Sequence, residues 1–175
     1  DMYFADYMVE WLDEIEPEIR ANTYRGYSGN VGNHIVPYFY PRRIKIQELK
    51  VSDLEDFYKY LVFEKSKSDG SEPLSPTTIT HIHRCISKAL NDAARKGIIT
   101  VNVATLARKP HSVKFKSQYL NERQVNELLK TVKDTPIEVP VTICAVFGLR
   151  RGEVLGLKWK AVDMENRTIT ISETL

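Results

Sequence analysis

The residues of this chain best suited to chemistry stand in one short run, Gly148-Leu149-Arg150-Arg151-Gly152-Glu153. An arginine carries five N–H donors in a rigid fork that fits a phosphate or a carboxylate with two parallel bonds. Gly148 ends one predicted helix and Arg150 stands at the start of the next, where backbone N–H groups and the helix dipole favour an anion. Glu153, one turn on, is in reach of the guanidinium and can hold it in place. A solvated ion pair one turn apart, worth about 0.3–0.5 kcal/mol, accounts for the same spacing, and on spacing alone it is the preferred reading. Arg151 adds a second cation that meets either phosphate or only solvent. The two cysteines, Cys85 and Cys144, sit far apart in apolar, helix-like surroundings and read as buried free thiols of a reducing compartment. No Cys/His cluster has metal-ligand spacing, so no metal is expected.

A phosphate-seeking arginine needs a polyanion, and the charge distribution supplies a reason to expect one. The net charge is only +2, but Asp1, Asp6, Glu10, Asp13, Glu14, Glu16 and Glu18 crowd the N-terminus. From Ser75 to Ser117 the sole acid is Asp92, against Arg84, Lys88, Arg95, Lys96, Arg108, Lys109, Lys114 and Lys116. A basic stretch is often just a solvated face. Here it runs along a helix and into a linker, which favours a polyanionic partner. The acidic start does not read as a secretory signal. No apolar run approaches the roughly 20 residues that span a bilayer, so a cytoplasmic protein without a membrane partner is expected.

The elements that position these residues follow from periodicity. Phe4, Met8, Trp11, Leu12 and Ile15 mark a first amphipathic helix, and Pro17 ends it or starts the next turn. A second helix is expected from Thr23 towards Ile35, with Pro37 and Pro41 breaking the chain into a loop. Ser52 and Glu55 have the spacing of a capping box, before the apolar face Leu54, Phe57, Tyr58 and Leu61. The polar run Glu64 to Pro73 reads as a loop. Ser75 as N-cap and Pro76 at the first helical position open the clearest helix. Its core stripe is Ile79, Ile82, Ile86, Ala89, Leu90 and Ala93; Thr77, His81, Arg84, Lys88 and Arg95 take the opposite face. Gly97 is the expected C-cap, and Ile98 and Ile99 fold back on the bundle. A four-helix unit ends near Leu106, and Ala107 to Tyr119 reads as a basic linker. Asn121 with Gln124 opens a second unit whose first helix shows Val125, Leu128, Leu129 and Val132. Pro140–Phe147 and Arg151 to about Trp159 are its next helices. Thr168 to Ile171 alternates like a strand. A strand there is expected to lack partners, which reads as a chain cut inside a domain. The fold class is mainly α, with a truncated α+β second domain.

These motifs, in this order, resemble the tyrosine recombinases of the phage-integrase type. Arg150 matches the family's first catalytic arginine, Glu153 its acidic companion, and Leu157, Trp159 and Asp163 the flanking pattern. Thr23-Tyr24-Arg25-Gly26-Tyr27 resembles the family's Thr-Tyr-x-x-Tyr helix start, His34-Ile35-x-Pro37 its helix end, and Leu74-Ser75-x-Thr77-x-Ile79 the start of its last core-binding helix. Asn102 sits where an Asn-Pro pair usually closes that domain, with Val103 in place of the proline. The pattern is most similar to integrases of Gram-positive conjugative transposons and temperate phages.

The resemblance implies residues 1–106 as a helical core-binding domain, 107–119 as a basic interdomain linker and 120–175 as the N-terminal part of a catalytic domain. It implies a C-shaped clamp on duplex core-site DNA, with other recombinase protomers as partners in the intact protein and a nucleoid-associated location in a bacterium. The implied reaction is attack of a tyrosine on a scissile phosphodiester, giving a phosphotyrosyl bond and a free 5′-hydroxyl without ATP or metal. Arg150 would stabilise the charged transition state, with Glu153 orienting it. The implied DNA contacts are Tyr24, Arg25, His81, Arg84, Lys88, Arg95, Lys114, Lys116 and Arg151. The family also needs a hairpin lysine, a His-x-x-Arg pair and a tyrosine nucleophile after the first arginine. No tyrosine follows Tyr119 and no histidine follows Arg150, so these residues are expected to bind DNA without cutting it. A helical DNA-binding regulator explains the basic helix but not the Arg150 turn; a helical protein-interaction module explains the amphipathic helices but not the basic stretch.

Overall fold

The computed structural model describes residues 2–63, 73–110 and 116–175. The chain divides into two compact units, Asp1–Lys114 and Phe115–Leu175. The loop expected over Glu64–Pro73 falls almost wholly outside the described residues, as does Lys114.

In the first unit, α1 (Phe4–Ile15) buries the face its periodicity marks, with Phe4, Met8, Trp11, Leu12 and Ile15 in the core. A 3-10 turn over Glu16–Glu18 carries Pro17. Next, α2 (Ala21–Asn30) starts two residues before Thr23 and does not stop where the prolines suggest. It runs through a π turn at Val31–Ile35 into α3 (Val36–Phe39), and Pro41 lies in a further 3-10 turn, Tyr40–Arg42. The expected loop from Pro37 is therefore helix. Proline costs a helix an N–H donor and crowds the preceding turn; the π register, with the Val36 N–H on the Val31 carbonyl, widens that turn and absorbs the defect. The extra helix delivers Tyr38 and Phe39 to an aromatic cluster, where Phe39 meets Phe4 edge-on at 4.9 Å and Phe57 at 5.1 Å.

Helix α4 (Val51–Phe63) buries Leu54, Phe57, Tyr58 and Leu61. The Ser52/Glu55 capping box does not form, because the helix begins earlier: Asp53 accepts the Lys50 N–H at 2.8 Å. Glu55 is left for a different partner. Helix α5 (Pro76–Arg95) is capped by the Ser75 hydroxyl, which accepts the Thr78 N–H at 3.2 Å, and is followed by Gly97 at φ +71°. It crosses the unit as its central element. Tyr7 donates to the Ala89 carbonyl at 2.8 Å, and Ile98 and Ile99 pack back on the core. A 3-10 turn, Val103–Thr105, closes the bundle.

In the second unit, α6 (Glu122–Thr131) opens with a reciprocal capping box: Asn121 accepts the Gln124 N–H at 3.0 Å, and Gln124 accepts the Asn121 N–H at 2.9 Å. Then α7 (Glu138–Phe147) ends at Gly148, φ +65°, and α8 covers only Arg151–Leu155. Strands β1 (Val162–Asp163) and β2 (Thr168–Ile169) pair antiparallel, Val162 opposite Ile169. The strand expected to lack a partner has one in the residues just before the turn. Among the described residues of this unit only Val132 and Val154 are buried. Its apolar helix faces instead line open grooves, one between Leu128, Ile137, Val141 and Leu155.

Candidate nucleic-acid interface

Helix α5 sorts its side chains sharply. At 3.6 residues per turn, His81, Arg84, Lys88 and Arg95 fall within a sector of roughly 60°, and all four are exposed. Ile79, Ile82, Ile86, Ala89, Leu90 and Ala93, on the other side, have no exposure at all. The core that fixes the helix therefore also fixes one cationic stripe on its outer face. Thr77 is exposed at its N-terminal end.

The stripe has an internal organiser. Asp92, buried at 5 % exposure, accepts Trp11 Nε1–H at 2.9 Å, Lys88 Nζ at 2.9 and 3.0 Å, and Arg95 Nη2. Burial works against its charge, but the hydrogen bonds from Lys88, Trp11 and Arg95 outweigh that and hold its carboxyl below the usual carboxylate range. Lys88 and Arg95 thus stand on one anchored carboxylate that ties α1 to α5, and Lys96 adds an ion pair to Glu14 of α1. The sequence holds a signal for this: Asp92 lies four positions after Lys88 and three before Arg95, both helix-neighbour spacings.

The other implied contacts are less uniform. On α2, Arg25 is exposed and bonds Asn22 at 3.3 Å. Tyr24 packs half-buried against the core; burial first, then the charges of Glu16 and Asp13, push its hydroxyl pKa up. Acidic neighbours make that a poor setting for a phosphate. Lys116 is exposed in the second unit.

A second cluster on α5 has no precedent in the sequence reading. Tyr58 of α4 meets His83 Nδ1 at 2.9 Å. Burial lowers the His83 pKa, and the nearby charges of Lys109 and Arg84 lower it further. Asn102 is the hinge of the segment bearing Lys109: its amide donates to the Ser87 carbonyl at 3.0 Å and to Asn91 at 2.8 Å, while its Oδ1 accepts the Ala104 N–H at 2.9 Å. Glu55 accepts the Arg108 N–H at 3.0 Å.

In the second unit, Arg150 precedes α8 with an extended backbone (φ −72°, ψ 150°). Glu153 holds it twice, accepting the Arg150 N–H at 2.8 Å and the guanidinium Nη1 at 3.0 Å. Those bonds, the backbone one first, draw the Glu153 carboxyl below its ordinary pKa. Arg150's side chain is 88 % exposed whereas Glu153's is 17 %: the acid is seated and the guanidinium projects. Arg151, beside it, is exposed. Helix α8 is shorter than expected because Gly156 ends it where the backbone of Glu173 passes. A Cβ on Gly156 would lie 2.9 Å from the Glu173 carbonyl oxygen, and one on Gly152 2.7 Å from that of Leu175. The Leu175 N–H bonds the Gly152 carbonyl at 3.0 Å, and Lys158 pairs with Glu173. Asp163 caps the hairpin turn by accepting the N–H groups of Glu165 and Asn166. Among the described residues no group of His, Cys, Asp and Glu could hold a metal, and no helix is long and apolar enough to cross a membrane.

Comparison with known proteins finds similarity along the chain. Residues 3–62 match the family described as phage integrase, N-terminal SAM-like domain. An integrase of Saccharopolyspora erythraea is 25% identical over 170 residues, covering 97% of this chain and 37% of its own length. The ICEBs1 integrase of Bacillus subtilis (strain 168) is 22% identical over 155 residues, covering 87% of this chain and 39% of its own. The chain thus spans less than half the length of these relatives. Among solved structures, the Tn1549 transposon integrase in complex with a circular intermediate DNA shares the fold with a TM-score of 0.77 at 20% identity, over 99% of this chain and 54% of that one. The lambda integrase of a tetramer bound to a Holliday junction gives 0.70 at 14% identity, over 94% of this chain and 46% of that one.

Proposed function

We propose that the chain belongs with the tyrosine recombinases of the conjugative-transposon and phage-integrase type, to which the similarities above point, and that it is the part of a site-specific recombinase that grips core-site DNA and presents the first catalytic arginine. Residues 1–106 act as the core-binding domain, 107–119 as the basic linker and 120–175 as the opening part of the catalytic domain. The observation that carries this reading is the one-sided stripe of α5, three cations and a histidine backed by a fully buried aliphatic face. It meets the phosphate backbone and positions the protein rather than reading bases. The two solved structures named above are described with DNA and, for lambda integrase, as a tetramer; duplex DNA and further protomers are the partners proposed here.

Arg150 supplies the chemistry. In the full recombinase a tyrosine oxygen attacks the scissile phosphorus, the 5′-oxygen leaves, and charge builds on the non-bridging oxygens. A projecting guanidinium held by Glu153 donates to those oxygens as that charge develops. Glu153 is a positioning residue, not an acid or base. The nucleophile is none of the tyrosines present, so these 175 residues bind DNA and leave it uncut.

Two measurements test the reading. Affinity for a DNA duplex should fall with salt at a logarithmic slope of about −3 if the stripe's three cations each meet a phosphate; a flat slope refutes it. In the full-length recombinase, Arg150→Ala should lower strand cleavage by about 10²–10³ while leaving most of the affinity. Normal cleavage by that variant removes the catalytic assignment.

A further inference from the structure

The α5 stripe does not exhaust the basic surface of the first unit. His83 lies about 160° around α5 from His81, off the stripe, yet its surroundings are cationic: Arg84 and Lys109 are the charges that act on it. The chain after α5 explains how Lys109 comes to be there. Asn102 staples the segment to Ser87 and Asn91 of α5, the 3-10 turn Val103–Thr105 redirects it, and Glu55 of α4 takes the Arg108 N–H. The backbone beside the exposed Lys109 is thereby anchored to α4. Tyr58 and His83 complete the arrangement. Tyr58 is 1 % exposed, and burial keeps its hydroxyl protonated. Its hydrogen-bond partner among the described residues is His83 Nδ1. A buried hydroxyl proton given to Nδ1 leaves the imidazole proton on Nε2, so the half-buried ring offers an oriented N–H donor.

We propose that His83, Arg84 and Lys109 form a second phosphate-binding corner, assembled by Glu55, that holds a backbone phosphate of the duplex beyond those met by the α5 stripe. The inference rests on the DNA-binding reading above and extends it to residues outside the stripe. The corner combines the three features an anion site needs: a neutral N–H fixed in direction, a guanidinium fork, and an ammonium on a restrained segment. Arg84 is the joint, belonging both to the stripe and to the corner, so the positive surface turns continuously from the helix face onto the chain that leads away from it. Glu55 has two opposed influences. Its charge repels a phosphate, whereas its hydrogen bond restrains the residue next to Lys109. Counting charges, its removal should tighten DNA binding; as the anchor of the corner, its removal should weaken it.

The test uses the whole chain and a 30-base-pair duplex of arbitrary sequence, followed by fluorescence anisotropy across a salt series. Lys109→Gln should make the logarithmic salt slope shallower by about 0.9, the value for one phosphate contact. Glu55→Ala should weaken binding and render Lys109→Gln silent in its background. Glu55→Gln, which keeps an acceptor for the Arg108 N–H and drops the charge, should bind at least as tightly as the parent. Long-range ¹H–¹⁵N spectra should show the Nε2–H tautomer of His83 and a shift of Nε2 on adding duplex. Lys88→Gln, on the stripe, separates the two levels of the argument. If it makes the slope shallower while Lys109→Gln does not, the corner is wrong and the stripe stands. If the parent chain shows no salt dependence at all, the DNA-binding reading fails and the corner with it. Tighter binding by Glu55→Ala also overturns the corner.

Discussion

Replacing Asp92 with asparagine should weaken the fold and strengthen DNA binding, two effects of opposite sign from one carboxylate. Consider stability first. Lys88 and Arg95 are 44% and 73% exposed at the side chain, so their pairs with Asp92 count as surface pairs worth about 0–1 kcal/mol each. Trp11 decides the outcome, because it is 1 % exposed and its indole N–H has the Asp92 carboxylate as its acceptor. Asparagine keeps an oxygen there, but a neutral acceptor is weaker than a charged one by about 1 kcal/mol. The expected loss is about 1–2 kcal/mol, a fall in melting temperature of roughly 5–15 °C for a unit of about 100 residues. Asp92→Leu leaves the indole unpaired and should cost about 1–3 kcal/mol more. The assay is urea unfolding read by the emission of buried Trp11, in a Trp159→Phe background that removes the exposed indole. The pH dependence follows from the depressed folded-state pKa of Asp92. A group depressed on folding contributes above its unfolded value, about 3.9, and loses that contribution as pH falls through the folded value. The parent's advantage over Asp92→Asn should therefore be full at pH 7 and vanish in acid. Binding moves the other way: a carboxylate roughly 6 Å from a phosphate repels it by about 0.7 kcal/mol in water. Its loss should tighten duplex binding by roughly threefold at low salt, and less where salt screens the charge. Parent and Asp92→Asn curves that coincide at pH 7 and keep the same acid dependence would refute the role given to this carboxylate.

Two further outcomes follow from the packing. Gly152→Ala places a Cβ 2.7 Å from the Leu175 carbonyl oxygen, so the 171–175 segment must shift, at a cost of about 1–3 kcal/mol; faster amide exchange at Leu175 is the readout, and an unchanged rate would show the segment to be unseated already. Cys85 is fully buried and its thiol pKa is pushed up to about 12 by burial, so a thiol-specific disulfide reagent should titrate half-buried Cys144 in the native protein and reach Cys85 only on unfolding.

The helices of the first unit were legible because their apolar spacing is strict. Every residue of the α5 core stripe named from periodicity is fully buried, and Ser75, Pro76 and Gly97 mark its ends by their backbone chemistry. What misled was local chemistry read without its tertiary setting. Pro37 normally signals an end, but a π turn accommodates it where Tyr38 and Phe39 have an aromatic core to join. Ser52 and Glu55 have capping-box spacing, yet the helix starts at Val51 and Glu55 is used across the fold by Arg108. The β1 pairing was missed because two-residue strands carry no periodicity. At the candidate site, the Arg150–Glu153 spacing was readable, but that the acid is seated and the arginine projects depends on burial, which spacing does not encode. The setting of His83 was hidden for a similar reason: a histidine on a helix reads as solvated, while Tyr58 and Lys109, which surround it, come from other segments.

The acids carry the sharper lesson about this surface. Counting charge from Ser75 to Ser117 treats Asp92 as a lone dilution of a basic stretch. In the fold it is the one residue of the stripe tied into the core through Trp11, and Lys88 and Arg95 take their positions from it. Glu55 plays the parallel part at the α4/α5 seam, and Glu153 at Arg150. In each case the carboxylate is bound to backbone or core while the cation it serves stays exposed. Free lysines and arginines on a helix surface sample many rotamers and lose that freedom on binding, each at a cost of about 0.5–1.5 kcal/mol. A cation already ordered by a seated acid forgoes part of that loss, at the expense of some repulsion towards the phosphate. The balance favours the acid only where the cation must occupy one place, as at a scissile phosphate or a fixed register on the duplex. It would be wasted on a surface that held DNA loosely, and by that reasoning the three acids mark the positions where the proposed grip on DNA has to be exact in geometry rather than merely strong.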